Sequence, residues 1–184
     1  GITTAGDVLV YAGTDIEMTS AAVTAANNLM YQSTNGDILL AELTATNTVA
    51  LESGGDVLDN NGGLSGNITA MHLSLNTLGS IGAPQPGGIE SVNDNAIDTD
   101  VDVLSALSGT GIYIQNADAL TIAAIPSLTV NVDVSCIGSN GTSTSVGLAG
   151  NHAALSDVTS GSAIKLVTIA GSLTVSDGLD GDGL

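Results

Sequence analysis

Positive charge is almost missing from this chain: Lys165 is the one basic side chain beside 19 acidic ones, giving a formal net charge of −18. Phosphate-backbone binding works through Lys and Arg that release counterions, and anionic membrane surfaces attract polybasic segments. Both partners are therefore excluded as expectations. Phe and Trp are absent, and three tyrosines make up the aromatic content. A thick globular core takes part of its volume from aromatics, whereas a thin core stacked from Ala, Val, Leu and Ile does without them. The single cysteine, Cys136, has no internal disulfide partner and reads as a small buried hydrophobe. No apolar run reaches the roughly 18 residues that a membrane span needs, and no positively charged region opens the chain.

What is present is apolar and finely divided. Hydrophobic residues make up 43% of the sequence, too many for a disordered acidic tail. Helical periodicity is weak; only "TSAAVTAANNLM" (19–30) can be drawn as a short helix, and its Thr and Asn content argues against it. Strand patterns are dense: 70–82, with Met71, Leu73 and Leu75 on one face and His72, Ser74 and Asn76 on the other, then 98–103, 111–115, 120–122, 127–134, 163–169 and 172–175. Gly, Asn, Asp and Ser separate them.

The phrase Gly-Asp-apolar-Leu occurs as "GDVLV" (6–10), "GDILL" (36–40) and "GDVLD" (55–59). An Asp that returns with a fixed neighbourhood marks a turn into a strand better than it marks a catalyst, with Gly supplying backbone freedom and Asp bonding the local backbone. Aligning 27–45 with 46–60 sets Leu29 and Met30 near Val49 and Gly36-Asp37 on Gly55-Asp56. Short strands at this spacing suit a β-solenoid or a β-sandwich. The sandwich calls for hairpin turns and aromatic anchors, which the sequence does not signal. The expectation is all-β: a right-handed parallel β-helix, with a β-sandwich as the alternative. Residues 1–184 are read as one elongated segment of a larger protein, with a protruding loop near 83–96 where two of the three prolines fall.

The stretch "GSIG", a variable loop, then "DVDVLSALSGTGIYI" and "ADALTI" (79–122) resembles the repeats of filamentous-haemagglutinin-like giant bacterial exoproteins. "GDILLAELTATNTVALESGGDVL" (36–58) and "AIKLVTIAGSLTVSDG" (163–178) resemble them too, so the likeness spans about two thirds of the chain. It implies a right-handed parallel β-helix, a secreted or cell-surface location, an adhesive or architectural role, and no catalytic residues.

Candidate chemistry is sparse. Asp177, Asp180 and Asp182, set among glycines in "DGLDGDGL", are the better candidate calcium ligands, with an acidic linker as the plain alternative. Asp98, Asp100 and Asp102 alternate along a strand and so share a face, but same-face positions lie roughly 6.7 Å apart, too divergent to converge well on one ion. His72 and His152 lack neighbours at metal-ligand spacing, and His72 reads as a surface histidine. No Gly-x-Ser-x-Gly nucleophile turn occurs in the loop-rich 141–157, and no Lys follows "GLAGNHA" to make a phosphate cradle. "NIT" (67–69) and "NGT" (140–142) fit the glycosylation pattern. The leading expectation is a non-catalytic structural or adhesive segment, taking as partner a surface protein or glycan, or other segments of its own protein. A calcium-stiffened sandwich module is second. A carbohydrate-active β-helix enzyme is third, with Tyr11, Tyr31 and Tyr113 as the aromatics available to stack on sugar.

Overall fold

The structure is a computed structural model that describes residues 1–61, 66–84, 95–137 and 143–176, with the backbone alone described for 133–137 and 143–146. Among the described residues every regular element is a strand. In chain order they are β1 (Ile2–Thr3), β2 (Val8–Ala12), β3 (Ile16–Glu17), β4 (Val23–Ser33), β5 (Ile38–Leu40), β6 (Glu42–Ser53), β7 (Val57–Asp59), β8 (Ile68–Thr77), β9 (Ser80–Ile81), β10 (Ile97–Ser108), β11 (Gly111–Asn116), β12 (Leu120–Ile122), β13 (Leu128–Ile137), β14 (Ser143–His152), β15 (Val158–Ser160), β16 (Ile164–Thr168) and β17 (Leu173–Val175).

All but β13 and β14 join one 15-stranded parallel sheet that curls on itself. The fold is a parallel β-helix. Strand "TAANNLM", the one stretch drawable as a helix, is the heart of β4. Its β-branched and Asn residues lose little in an extended chain and pair on both edges, with β2 and with β6.

Each coil passes over the same faces. Face A holds β1 and the first halves of β4, β6, β8 and β10; face B holds β2 and their second halves; face C holds β3, β5, β7, β9 and the starts of β11 and β16, whose ends run on to face A beside the start of β10. The long strands bend where A meets B, and the register shifts there, between Ala26 and Asn28 and between Thr44 and Thr48. Alternation slips at the same place. Ile68 and Ala70 point inward before the bend and Leu73 and Leu75 after it, so Met71 is exposed rather than sharing a buried face with Leu73 and Leu75.

Like residues stack in columns inside. Val8, Leu29, Val49, Leu73, Leu104, Ile122 and Val175 follow one another in register along face B, and Ile16, Ile38, Val57, Ile81, Ile112 and Ile164 along face C. The core is therefore narrow and aliphatic; Tyr31 is its one aromatic, donating its hydroxyl to Thr24 Oγ1 at 2.9 Å. Burial raises the Tyr31 pKa.

The turn from B to C explains the repeated phrase. Asp15 Oδ1 accepts the Asp37 N–H at 2.9 Å, Asp37 Oδ1 accepts the Asp56 N–H at 2.7 Å, and Asp56 Oδ1 accepts the Ser80 N–H at 2.6 Å. Each carboxylate thus bonds the next coil, not its own turn. A Cβ at Gly36, Gly55 or Gly79 would sit within 2.2 Å of the carboxylate below, so these glycines make room for it. None of the three has positive φ, which for Gly36 and Gly55 corrects the expectation that the glycine of the phrase supplies backbone freedom. Beneath them Ser33, Ser53 and Ser108 turn inward, and their hydroxyls donate to the carbonyls of Gly36 (from Ser33 and Ser53) and Gly79 at 2.8–2.9 Å. Thr77 does the same to Gly55. The first copy of the phrase is different: Asp7 lies at the A–B bend, where Oδ1 accepts from the Asn28 N–H and from the side-chain amides of Asn27 and Asn28.

The strand expected at 127–134 forms as part of β13, but it belongs to no coil. Between β12 and β15, which both pair with β10, the chain leaves the coil as an antiparallel hairpin, β13–β14. Its neck is the Ile125↔Leu155 bridge. The stretch 143–152, read as loop, is a strand of this hairpin. The loop expected near 83–96 falls between β9 and β10 in the chain, and its residues 85–94 lie outside the described residues.

Candidate functional site

The outward side of face B carries the most elaborate surface chemistry, and the hairpin divides it. One outward column, Leu9, Met30, Ala50, Ser74 and Ser105, lies under or against the hairpin and its neck. Leu128, Val130 and Val132 of β13 pack on Leu9, Met30 and Ala50. Small side chains let the hairpin down: Ala50 and Ser74 on the stack, and Gly150 on β14, where a Cβ would meet Leu9 Cδ1 at 2.5 Å and Met30 Sδ at 2.7 Å. Ser105 Oγ donates to Leu155 O at 3.2 Å and also bonds Ala123 O in the neck.

His152 closes this interface. It is buried, its Nε2 lies 2.7 Å from Ser74 Oγ, and its Nδ1 has no hydrogen-bond partner among the described residues. Burial pushes its pKa below the ordinary 6.5, opposed in part by the Glu52 carboxylate. A Ser–His pair invites comparison with a nucleophile and base. Both side chains are sealed from solvent, and no carboxylate orients Nδ1, so the pair fastens the hairpin.

The neighbouring outward column is open. Tyr11, Gln32, Glu52, Asn76 and Leu107 are successive register partners. Gln32, Thr34, Glu52, Asn76 and Leu78 line a groove of about 300 Å³ that runs along the stack at the B–C corner. Gln32 Nε2 donates to Glu52 Oε2. Tyr11 is well exposed, and its hydroxyl lies 3.0 Å from Thr34 Oγ1, which fixes the ring at one end of the groove.

The residues singled out from the sequence lie elsewhere. Asp98, Asp100 and Asp102 do alternate on β10, but their settings differ. Asp98 is buried and its Oδ1 accepts from Gln115 Nε2 at 3.1 Å, while Asp100 and Asp102 face solvent. Asp177, Asp180 and Asp182 lie outside the described residues. Among the described residues no group of three His, Cys, Asp or Glu side chains is placed to hold a metal ion. His72 is half-buried at the A–B bend. Asn67 of "NIT" is fully buried and donates its amide to Asp59 Oδ1 at 2.7 Å, so in the folded chain it is no glycan acceptor; Asn140 lies outside the described residues. No helix among the described residues is long and apolar enough to cross a membrane.

No protein-family model, curated protein or solved structure matches this chain. Its function is therefore argued from the geometry.

At the far end of the described stack the columns lose their cover. Ile164 and Leu166 of β16 and Leu173 and Val175 of β17 point inward by register, yet with Ile122 and Val158 they line an apolar recess of about 170 Å³ open to solvent. The same residue types lower in the columns are sealed.

Proposed function

We propose that the chain is a structural and adhesive segment of a larger secreted or cell-surface protein, non-catalytic, whose coils continue into neighbouring coils. The observation that carries this reading is the recess at the last coil. Solenoids in water end in polar caps, because an uncovered coil shows both apolar columns and unpaired strand edges. Ile164, Leu173 and Val175 are what a mid-stack coil looks like with its neighbour removed. Stacking at about 4.8 Å per coil gives reach and stiffness. The preponderance of carboxylates keeps such a rod soluble and turns away nucleic acid and anionic membrane. The adhesive part of the reading, and the location, lean on the resemblance of 36–58, 79–122 and 163–178 to exoprotein repeats.

Hydrolysis by a carboxylate pair requires two such groups about 5–9.5 Å apart. The groove on face B is lined by one, Glu52, which favours holding a ligand over cleaving it. The test is amide hydrogen exchange on the 184-residue chain and on a version extended after Leu184 by one further coil. Exchange in β16 and β17 is expected to be fast in the first and at least 100-fold slower in the second. Equal protection in both, or turnover of a polysaccharide by the purified chain, overturns the proposal.

A further inference from the structure

The column beside the hairpin is both open and rich in amide and carboxylate side chains, each with several hydrogen-bonding atoms. Gln32, Glu52 and Asn76 present one polar head per coil, in line with the stack axis. Amides donate and accept, and a carboxylate accepts, so the row offers mixed partners to a ligand bearing many hydroxyls. At its end stands the exposed ring of Tyr11, held by Thr34. An aromatic ring beside a short row of amides suits a hexose, which has an apolar face and a rim of hydroxyls. Backbone groups beneath the groove are already paired coil to coil, which leaves an added peptide strand nothing to extend. The net charge of −18 disfavours uronate or sulfated polymers.

We propose that the groove along Tyr11, Gln32, Glu52 and Asn76 binds an uncharged polysaccharide, with one sugar ring on Tyr11 and the chain axis along the stack. The volume of about 300 Å³ is at the small end for ligand sites, so contact is with a short run of sugars and affinity is modest. Chains displayed in many copies on a surface turn modest contacts into firm attachment. This deepens the adhesive part of the function proposed above and rests on it. The rod itself would stand without it, since β16 and β17 lie at a different place on the stack.

The experiment titrates the intact chain with neutral hexasaccharides of glucose (α-1,4 and β-1,4) and mannose, and with oligogalacturonate as the anionic control. Binding is followed by calorimetry and by tyrosine emission, which no tryptophan obscures. At least one neutral sugar is expected to bind with Kd at or below roughly 1 mM. Tyr11→Ala should weaken it about tenfold, Gln32→Ala and Asn76→Ala severalfold, and Tyr11→Phe little, because the ring remains. All three positions are on the surface side of the sheet, and unchanged circular dichroism certifies the fold. Failure of every neutral sugar to bind, binding that Tyr11→Ala leaves intact, or a preference for oligogalacturonate overturns the proposal. None of those outcomes alters the exchange contrast at β16 and β17, so the two proposals fail separately.

Discussion

Coils in the middle of the stack and the last coil are built from the same columns, yet they differ sharply in what burial they achieve. Ile112, Leu120 and Ile122 are 0%, 1% and 4% exposed; their register partners one coil on, Ile164, Leu173 and Val175, are 47%, 43% and 50% exposed. Composition and direction of the side chains are unchanged. The difference is that no further described strand pairs over the second set. Burial in this fold is thus a property of neighbours along the axis, and stability is close to a sum over adjacent coils.

The largest way to sharpen that contrast is to cut a hole where both neighbours are present. Leu51 is fully buried, with Leu75 and Tyr31 as its register partners on either side. Leu51→Ala is expected to cost about 2–5 kcal/mol, read as a shift of the urea midpoint. A loss below about 1 kcal/mol would mean that the column collapses around the gap and that the middle coils are as loosely held as the end.

A second test addresses the turn ladder that ties middle coils together and is absent from the last one. Alanine at Gly55 puts a Cβ at 2.1 Å from Asp37 Oδ1, so the carboxylate must leave the Asp56 N–H that it accepts at 2.7 Å. Losing a hydrogen bond to a charged group costs about 1.5–3 kcal/mol. Removing the carboxylate first should make the glycine replaceable: with Asp37→Ala in place, Gly55→Ala should cost at least about 1 kcal/mol less than it does alone. Additive effects in that double-mutant cycle would refute steric coupling between the coils.

The hairpin offers a third, pH-dependent handle on the side of the stack. His152 is neutral and buried when folded, with its pKa depressed by burial, whereas the unfolded chain takes up a proton near 6.5. Its contribution is complete above pH 6.5 and falls as pH drops from there toward the lower folded value, by at most about 1.4 kcal/mol per pH unit. Comparing urea midpoints at pH 7.5 and 5.5, the wild type should lose stability that His152→Gln does not lose. An equal loss in His152→Gln would overturn this reading.

Much of the coil was legible because a parallel solenoid writes its period into local sequence. The segments 111–115, 120–122, 163–169 and 172–175 reappear nearly unchanged as β11, β12, β16 and β17, and Leu29 does stack on Val49 and Asp37 on Asp56. Four things were not legible. Period-2 alternation fails at the A–B bend, where a strand turns without ending, and so Met71 was placed inside. "GDVLV" at 6–10 matches the later phrases in letters but not in position, since Asp15, after Thr14, fills the ladder in the first coil. In 143–152, Gly147, Gly150 and Asn151 mimic loop composition, while Gly150 is there because Leu9 and Met30 come so close. The groove left no local motif at all: Gln32 and Glu52 are 20 residues apart, and only the register makes them neighbours.

The smallest expected effect is the most discriminating, because it repeats the leucine truncation where the structure says it should scarcely matter. Leu173 occupies the column position of Leu120 but keeps 43% of its surface in water. Truncation there gives up only part of the side chain's burial, and the gap opens to solvent instead of forming a cavity, so the cavity contribution that dominates mid-stack losses drops out. Leu173→Ala should cost about 1 kcal/mol or less in the 184-residue chain, against severalfold more for Leu120→Ala. In a longer chain that supplies a covering coil, the cost of Leu173→Ala should rise to match that of Leu120→Ala. Measuring all four midpoints makes the position along the axis the only variable, and equal costs for the two leucines in the 184-residue chain would mean that something other than a neighbouring coil already seals the end.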